Sequence, residues 1–504
     1  MSAVADTRNE VTAQGSLVVA AMLATFMQAM NISIPNAAVL HVQGGLSMTD
    51  DEIGWVFSSY IAASAIVMPM THWLAGRFGR KTVFQLSVAL FSVALILDTL
   101  ATTPLQFVSA RILQGAASGT LAPLSMAILL HELPPLRHGR IGIAWSVTAL
   151  LGMLSGPAIG GWLSEYVGWH SIFYLSLPMA WFIALVMGVY LKEKKLHRSE
   201  RFDFFGLATF SAGIGGLQML LDRGERMGWF ASPEIWVEAS ASALGFYLYI
   251  VHVLTRDEHF LNKALFKDRN FGVATVMFFA FGFVLLPTLA LTSPMLEELL
   301  GYPADTAGYI TIPRGVALVG ALLLTWRAPT QVDNRLLVIG GLALVAYGNW
   351  RMLGYSTLMD WWPVVAAGAI QGAGLGMLMP ALTRAAFSTL DPRFRAEGTV
   401  LFNLSRLYGS TLGIAIVQID FYRNTQSMHG ALANNLRPYR IASHAAGSLS
   451  GQGLALMNEL VTGQAALVAV IGQFKLLMIA MLVVSPLALL LRKPRPGNIP
   501  GVAK

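Results

Sequence analysis

The sequence predicts an all-α integral membrane protein of fourteen transmembrane helices, arranged as six, two and six, with both termini cytoplasmic. Three observations carry this expectation. Only 12% of the 504 residues are charged while 55% are hydrophobic, about half the charge share of a soluble chain. Apolar runs of roughly 20 residues, each long enough to cross ~30 Å of hydrocarbon as a helix, recur along almost the whole length. A ten-residue pattern, Gln114-Gly115-Ala116-Ala117-Ser118-Gly119-Thr120-Leu121-Ala122-Pro123, returns 257 residues later as Gln371-Gly372-Ala373-Gly374-Leu375-Gly376-Met377-Leu378-Met379-Pro380, with six positions identical. The same offset carries Pro135 onto Pro392, Gly152 onto Gly409 and Gly156 onto Gly413 without a gap, so the chain reads as two related halves.

The first half, residues 1–200, holds six apolar runs. The run at 16–40 is too long for a signal-peptide core and has no small-residue cleavage site, so it is expected to remain as span 1. The run at 53–75 leads into the basic turn Trp73-Leu74-Ala75-Gly76-Arg77-Phe78-Gly79-Arg80-Lys81, with glycines where the chain must reverse tightly. Runs at 83–102 and 104–130 follow, the latter carrying the repeated pattern, then 140–163 and 169–191. Residues 201–269 add two spans between the halves, near 203–222 and 233–255, joined by an outer loop from Leu221 to Phe230. The second half, 270–504, holds runs near 271–294, 305–327, 336–353, 361–387, 398–420 and 468–491. Applied to these, the offset lays span 4 on span 12 and span 5 on span 13. A long outer loop, 421–467, precedes the last span and contains Asn424, Gln426, Asn434, Asn435 and a Gly/Ser stretch from Gly447 to Gly453. It reads either as a solvated loop or as a docking surface for an outer partner.

Charge sets the orientation. With a cytoplasmic amino terminus, most of the 34 Lys and Arg residues fall in inner loops, the densest cluster being Lys192, Lys194, Lys195, Arg198 and Arg201 after span 6; the positive-inside rule is then satisfied. Asp50, Asp51, Glu52, Glu297 and Glu298 fall outside. Topology-setting charges that meet anionic lipid headgroups account for the net +7, so no nucleic-acid partner is implied. Alternating-polarity strands are absent, which argues against a β-barrel. Zero cysteine excludes disulfides and thiolate metal sites, and neither a metal nor a cofactor is expected. His-Glu-x-x-His, Gly-x-Ser-x-Gly and phosphate-loop patterns are missing, so nothing supports an intramembrane enzyme.

Two features carry chemistry. In span 5, Gly152, Gly156 and Gly160 lie four apart on one helix face, followed by Gly161, and would let a neighbouring backbone approach closely, while Pro157 removes a backbone hydrogen bond and permits a bend. The second copy keeps only Gly409 and Gly413. Charges inside the spans are nearly all positive: Arg111 in span 4, Arg314 in span 10, Arg406 in span 13 where the repeat has Ala149, and Lys475 in span 14. A charge at the centre of a span costs at least ~2.5 kcal/mol, so such residues face a cavity, a partner or water. Asp98, Asp222 and Glu238 are the few negative groups at span ends.

The 73–81 turn resembles the signature loop of the major facilitator superfamily, Arg111 with Gln114-Gly115 its span-4 motif, and 152–161 the motif of its drug antiporters. The three in this order, together with the six-two-six plan, are similar to the 14-span EmrB/QacA-type drug:proton antiporters over essentially the whole chain, as are Phe26-Met27-Gln28, Leu221-Asp222-Arg223-Gly224 and the long outer loop. The resemblance implies a proton or substrate pathway through Asn31, Ser33, Asn36, Arg111 and Gln114, to which the charges inside the second half add Arg314 and Arg406, and a gating loop at Arg77, Gly79, Arg80 and Lys81. It implies an antiporter motif at Gly152, Gly156, Pro157, Gly160 and Gly161. Four positions depart from it: Asn31 stands where the family usually has a carboxylate, His72 where its loop signature begins with Gly, Gly76 where Asp is frequent, and Gln473 where relatives commonly have an acid.

The expected function is export of small amphipathic compounds, anionic or neutral, across a bacterial inner membrane, by alternating access in exchange for protons. An adaptor protein on loop 421–467 is what the resemblance implies for a double-membrane bacterium. Because of Asn31, Gly76 and Gln473, a uniporter or differently coupled carrier stays open, as does a non-transporting receptor or scaffold.

Overall fold

The computed structural model describes residues 2–49, 52–134, 138–193, 203–224, 227–256, 264–328, 332–391, 394–435 and 451–492. Every regular element among them is helical. In order they are α1 (Ser2–Ser33), α2 (Val39–Leu46), α3 (Ile53–Val67), α4 (Thr71–Phe78), α5 (Arg80–Leu100), α6 (Pro104–Glu132), α7 (His138–Tyr166), α8 (Ser171–Tyr174) and α9 (Ser176–Tyr190). There follow α10 (Phe204–Gly224), α11 (Pro233–Thr255), α12 (Ala264–Lys267), α13 (Arg269–Pro294), α14 (Ala304–Arg327), α15 (Asn334–Met352), α16 (Trp362–Ser388), α17 (Arg395–Asn435) and α18 (Gly451–Val484).

The helices start where local chemistry stops the preceding chain. Thr103 accepts from the Gln106 backbone N–H with Pro104 in the first turn, and Ser232 caps α11 with Pro233 behind it. Asp268 and Asp333 accept from the N–H groups of Phe271 and Arg335 at the starts of α13 and α15. Each satisfies a donor that the helix itself leaves unpaired. Gly79 closes α4 at φ +90°, a backbone that side chains rarely adopt, and the Glu193 carboxylate then accepts from the N–H and hydroxyl of Thr82, both at 3.0 Å, in the first turn of α5.

Thirteen helical segments among the described residues are long and apolar enough to cross a membrane, one fewer than the fourteen expected. The one that falls short is the expected span 11, which is α15, 19 residues between Asn334 and Met352. Arg335 and Arg351 near its two ends lower its hydropathy. Span 1 is interrupted as well: α1 ends at Ser33, and a 3-10 turn at Ile34–Ala37 containing Pro35 leads into α2.

The expected loop 421–467 is largely helix, which corrects the sequence reading. The 41 residues of α17 extend about 60 Å at 1.5 Å per residue, twice the hydrocarbon thickness, so α17 continues unbroken through Asn435. Polarity, which marks the end of the apolar run, does not end the helix, because no proline interrupts residues 421–435. The extension is tied down by Asn424 donating to Asp420 four residues back (2.9 Å) and by Gln473 of α18 donating to the same carboxylate (2.9 Å). Further out, His429 and Asn458 are hydrogen-bonded across the pair at 3.1 Å. Gly447–Ser450 of the Gly/Ser stretch, like Lys194, Lys195, Arg198 and Arg201 of the cationic cluster, lie outside the described residues.

The duplication is visible in packing. A Cβ on Gly115 would strike the Tyr60 carbonyl and one on Gly119 the Ser64 carbonyl; in the second half Gly372 meets the Arg314 carbonyl and Gly376 that of Leu318. Gly152 meets the Phe26 carbonyl as Gly409 meets that of Phe279. Small residues therefore let helix backbones touch in the same places in both halves.

The halves meet at one end of the bundle. Tyr166 of α7 donates to Asp305 of α14 at 3.1 Å, Gly161 lies against the Ala304 carbonyl, Gly308 against the Pro157 carbonyl, and Gly54 of α3 against the Gln418 amide of α17. At the other end, residues 141–149 of α7 are all at least partly exposed, so the halves part there around an interior space. The pair α10 and α11 is pinned at both ends, by Arg223 with Glu238 (2.6 Å) and Glu234, and by His252 with Asp203 (2.9 Å). It docks on both halves: Ser58 of α3 donates to Asp222 at 2.8 Å, and Phe210 packs edge-on against Tyr408 of α17.

Candidate functional site

Arg111 is fully buried in α6 and ties together three helices of the first half. Its Nε donates to the Val56 carbonyl at 3.0 Å, one Nη to the Asn31 carbonyl at 3.4 Å and the other to Gln114 Oε1, while the Tyr60 ring lies 4.5 Å from the guanidinium carbon. Gln114 donates to Asn31 Oδ1 at 3.0 Å, and Asn31 in turn donates to Ser176 Oγ and to the Met27 carbonyl, both at 2.8 Å. Every member of this network is buried. A guanidinium suits the place because its planar fork serves several acceptors while its face stacks on an aromatic ring. Asn31, Arg111 and Gln114, three of the seven expected pathway residues, are thus brought together in one network.

Ser33 acts elsewhere. Its hydroxyl donates to the Met153 carbonyl at 2.6 Å. Met153 is four residues before Pro157, so it is the carbonyl that the missing proline N–H leaves free. Gly156 provides the room, since a Cβ there would sit 2.8 Å from the Ile34 nitrogen and closer still to Ser33 Oγ. Gly152 and Gly160 bring α7 against the Phe26 and Ile34 carbonyls of the α1 region, whereas Gly161 and Pro157 face α14 of the other half. The motif helix is thus wedged between its own half and the opposite one. Asn36 is buried in the 3-10 turn beside it.

The second half carries a related but rearranged cluster. Gln371, the repeat of Gln114, donates to Asn349 Oδ1 (2.8 Å) and Thr288 Oγ1 (3.2 Å), and Thr288 stands at the offset of Asn31. The arginine has changed helices. The glycine contacts make Arg314 the counterpart of Tyr60, and the offset makes Gly368 the counterpart of Arg111; the Arg314 side chain lies against Gly368, where a Cβ would be 3.5 Å from it. Arg314 donates to the Leu285 carbonyl at 3.3 Å and leaves its other terminal nitrogen without a partner among the described residues. Asp98, offset by the same interval, corresponds to Tyr355, and each interacts electrostatically with the arginine of its own half.

Arg406 is not part of either cluster. It lies deep in α17 yet is partly exposed, and it makes no side-chain hydrogen bond or ion pair among the described residues. In the 73–81 turn, Lys81 donates to the Gly188 carbonyl at 2.6 Å and the Arg77 guanidinium sits 5.7 Å from the Trp73 ring. These contacts, with the Glu193 cap, stay within the first half, and Arg80 joins none of them. Tyr60, Ser176, Thr288 and Asn349 were missed from the sequence; the 257-residue offset pointed to Thr288 but nothing marked the others. No group of three or more potential metal ligands occurs among the described residues.

A sequence model of the Major Facilitator Superfamily matches residues 21–416. The Multidrug export protein EmrB of Escherichia coli (strain K12) is 30% identical over 426 residues, 84% of this chain and 83% of that one. The Fatty acid resistance protein FarB of Neisseria gonorrhoeae is 30% identical over 450 residues, 88% and 89% of the two chains. Among solved structures, a bacterial homolog of the human lysosomal transporter Spinster, inward-facing and unoccupied, superposes with a TM-score of 0.63 at 15% identity over 95% of this chain and 98% of its own. A D-xylose-proton symporter gives 0.58 at 15% identity, over 91% and 97%. At such identities the structures speak for the fold alone.

Proposed function

The chain belongs to the Major Facilitator Superfamily, and from that premise we propose that it exports small amphipathic compounds, anionic or neutral, across a bacterial inner membrane in exchange for protons. It is a multi-pass transporter and not an enzyme, and its relatives named as multidrug export proteins support efflux. The observation that carries the substrate class is the charge of the interior. Arg314 and Arg406 are both deep in the second half, and neither has an acidic partner among the described residues. A cavity that leaves cations unpaired disfavours a cationic ligand and favours an anion or a neutral dipole. The relative named for fatty acid resistance agrees with that class.

In this reading residues 1–200 and 270–504 rock about the interior, the 201–269 pair bridges them, and both termini are cytoplasmic. The end closed by Tyr166 and Asp305 faces outward, so the arrangement described is open to the cytoplasm. Asn31, Arg111 and Gln114 link α1 to α6; Ser33 and Asn36 sit at the break in span 1; Gly152 to Gly161 form the bearing on which α7 slides; Arg77, Gly79, Arg80 and Lys81 gate the inner face. The protruding α17 and α18 offer an adaptor protein a helical surface in place of a loop. A uniporter is the second reading, favoured by Asn31 in place of a carboxylate.

Growth of expressing and deleted cells on dodecanoate, on a neutral antibiotic and on ethidium tests the substrate class: protection against the first two is expected. Protection chiefly against ethidium overturns it. Uptake of dodecyl sulfonate into everted vesicles, with and without an imposed pH gradient, separates antiport from uniport.

A further inference from the structure

Asp98 is a carboxylate with no structural work to do. It is fully buried near the end of α5, and neither of its oxygens has a hydrogen-bond partner among the described residues. An ionised carboxylate cannot stay in a low-dielectric interior without donors or a close cation. Arg111 and Tyr60 are the ionisable groups whose fields reach it. Arg111 approaches from α6 and Tyr60 from α3; α8 carries Tyr174, which is exposed, and is preceded by His170, neither of which acts on Asp98; α9 carries only Tyr190, at its far end, and α4 carries its cations, His72 and Arg77, beside the opposite end of α5. At Asp98 the halves also differ in chemistry, since its counterpart at the 257-residue offset is the phenol Tyr355. The hydrogen-bond network around Arg111, by contrast, holds no carboxylate: Asn31, Gln114, Ser176 and three backbone carbonyls are all neutral.

We propose that Asp98 is the proton-carrying residue of this transporter, doing from span 3 what Asn31 cannot do from span 1. The proposal rests on the antiport reading above and names its site. One proton from the outer side adds to the Asp98 carboxylate and gives the neutral, unpaired acid of the arrangement described. Arg111 is then free to hold Gln114, the Val56 carbonyl and the Asn31 carbonyl. Release of that proton to the cytoplasm regenerates the carboxylate, which draws the guanidinium away from Gln114 and Asn31. The grip on the end of α1 loosens where α1 meets the bend of α7 through Ser33 and Met153. The cycle moves one proton inward and leaves no net change on the protein.

The test has two arms on the full-length protein. In purified protein without substrate, the infrared carbonyl band of a protonated carboxyl group should be present in wild type and reduced by one group in Asp98→Asn. In proteoliposomes with dodecyl sulfonate as probe, Asp98→Asn should lose pH-gradient-driven transport by at least ~10-fold while substrate counterflow changes by no more than about twofold. If both fluxes fall, Asp98→Asn combined with Asn31→Asp decides: recovered pH-driven flux supports a carboxylate beside Arg111, and no recovery overturns the proposal. An unchanged infrared band, or full coupling in Asp98→Asn, also overturns it. Wild type that ignores the pH gradient but still carries the probe would sink the antiport reading instead, while the infrared arm still reports whether Asp98 holds a proton.

Discussion

The bond from Ser33 to the Met153 carbonyl allows a quantitative test of how α7 bends. Pro157 removes the N–H that would have served Met153, both partners are buried, and the Ser33 hydroxyl is the replacement donor at 2.6 Å. Ser33→Ala should therefore strand a buried carbonyl, a loss of about 1–3 kcal/mol. In a Pro157→Ala background the backbone N–H returns, the helix bond re-forms, and the same serine substitution should cost at least ~1 kcal/mol less, since the Met153 carbonyl no longer depends on the hydroxyl. The double-mutant coupling is then at least ~1 kcal/mol, about fivefold in the unfolding constant. Equilibrium unfolding of the purified protein in mixed micelles with rising dodecyl sulfate, followed by tryptophan fluorescence, measures the four corners of the cycle. Equal costs of Ser33→Ala in the two backgrounds, within ~0.3 kcal/mol, would refute the reasoning and leave Ser33 with some other role.

Arg111→Ala should abolish pH-driven efflux, and Arg111→Lys should recover little, because an ammonium cannot serve Val56, Gln114 and Asn31 at once; flux in proteoliposomes at matched protein is the measurement. Gly156→Leu should arrest transport at near-normal membrane abundance, since it drives a branched side chain into Ser33 and Ile34, a strain of order 1–3 kcal/mol; wild-type flux in the variant counts against the bearing role of α7. Asn31→Asp should shift preference from dodecanoate toward ethidium or impair efflux of the anion, read from growth inhibition of expressing cells. Gln426→Pro should break the protruding part of α17 and expose it to limited proteolysis while leaving the spans intact; an unchanged cleavage pattern would contradict a helix there.

The sequence by itself determined the membrane class, the duplication and most helix positions, because in lipid each backbone must satisfy its own hydrogen bonds and an apolar run of sufficient length has one solution. It also showed the glycine face of α7, since a four-residue interval on a helix is a direction in space. Hydropathy failed at polar helix: the facing ends of α17 and α18 extend past the apolar runs and carry no apolar signal, whereas α15 lies where an apolar run placed it, with arginines near both of its ends. Only the tertiary structure decided which groups meet. That Arg314 takes the place of Tyr60 and leans on Gly368, the counterpart of Arg111, depends on how α14 and α16 are rotated against each other, which no single-helix pattern contains. Asp98 looked like a residue at a span end until packing placed it, unpaired, within the field of Arg111. That Ser33 meets the one carbonyl Pro157 had freed was likewise decided by the fold, because a donor's partner is set by the acceptor it reaches across helices and not by its neighbours in the chain.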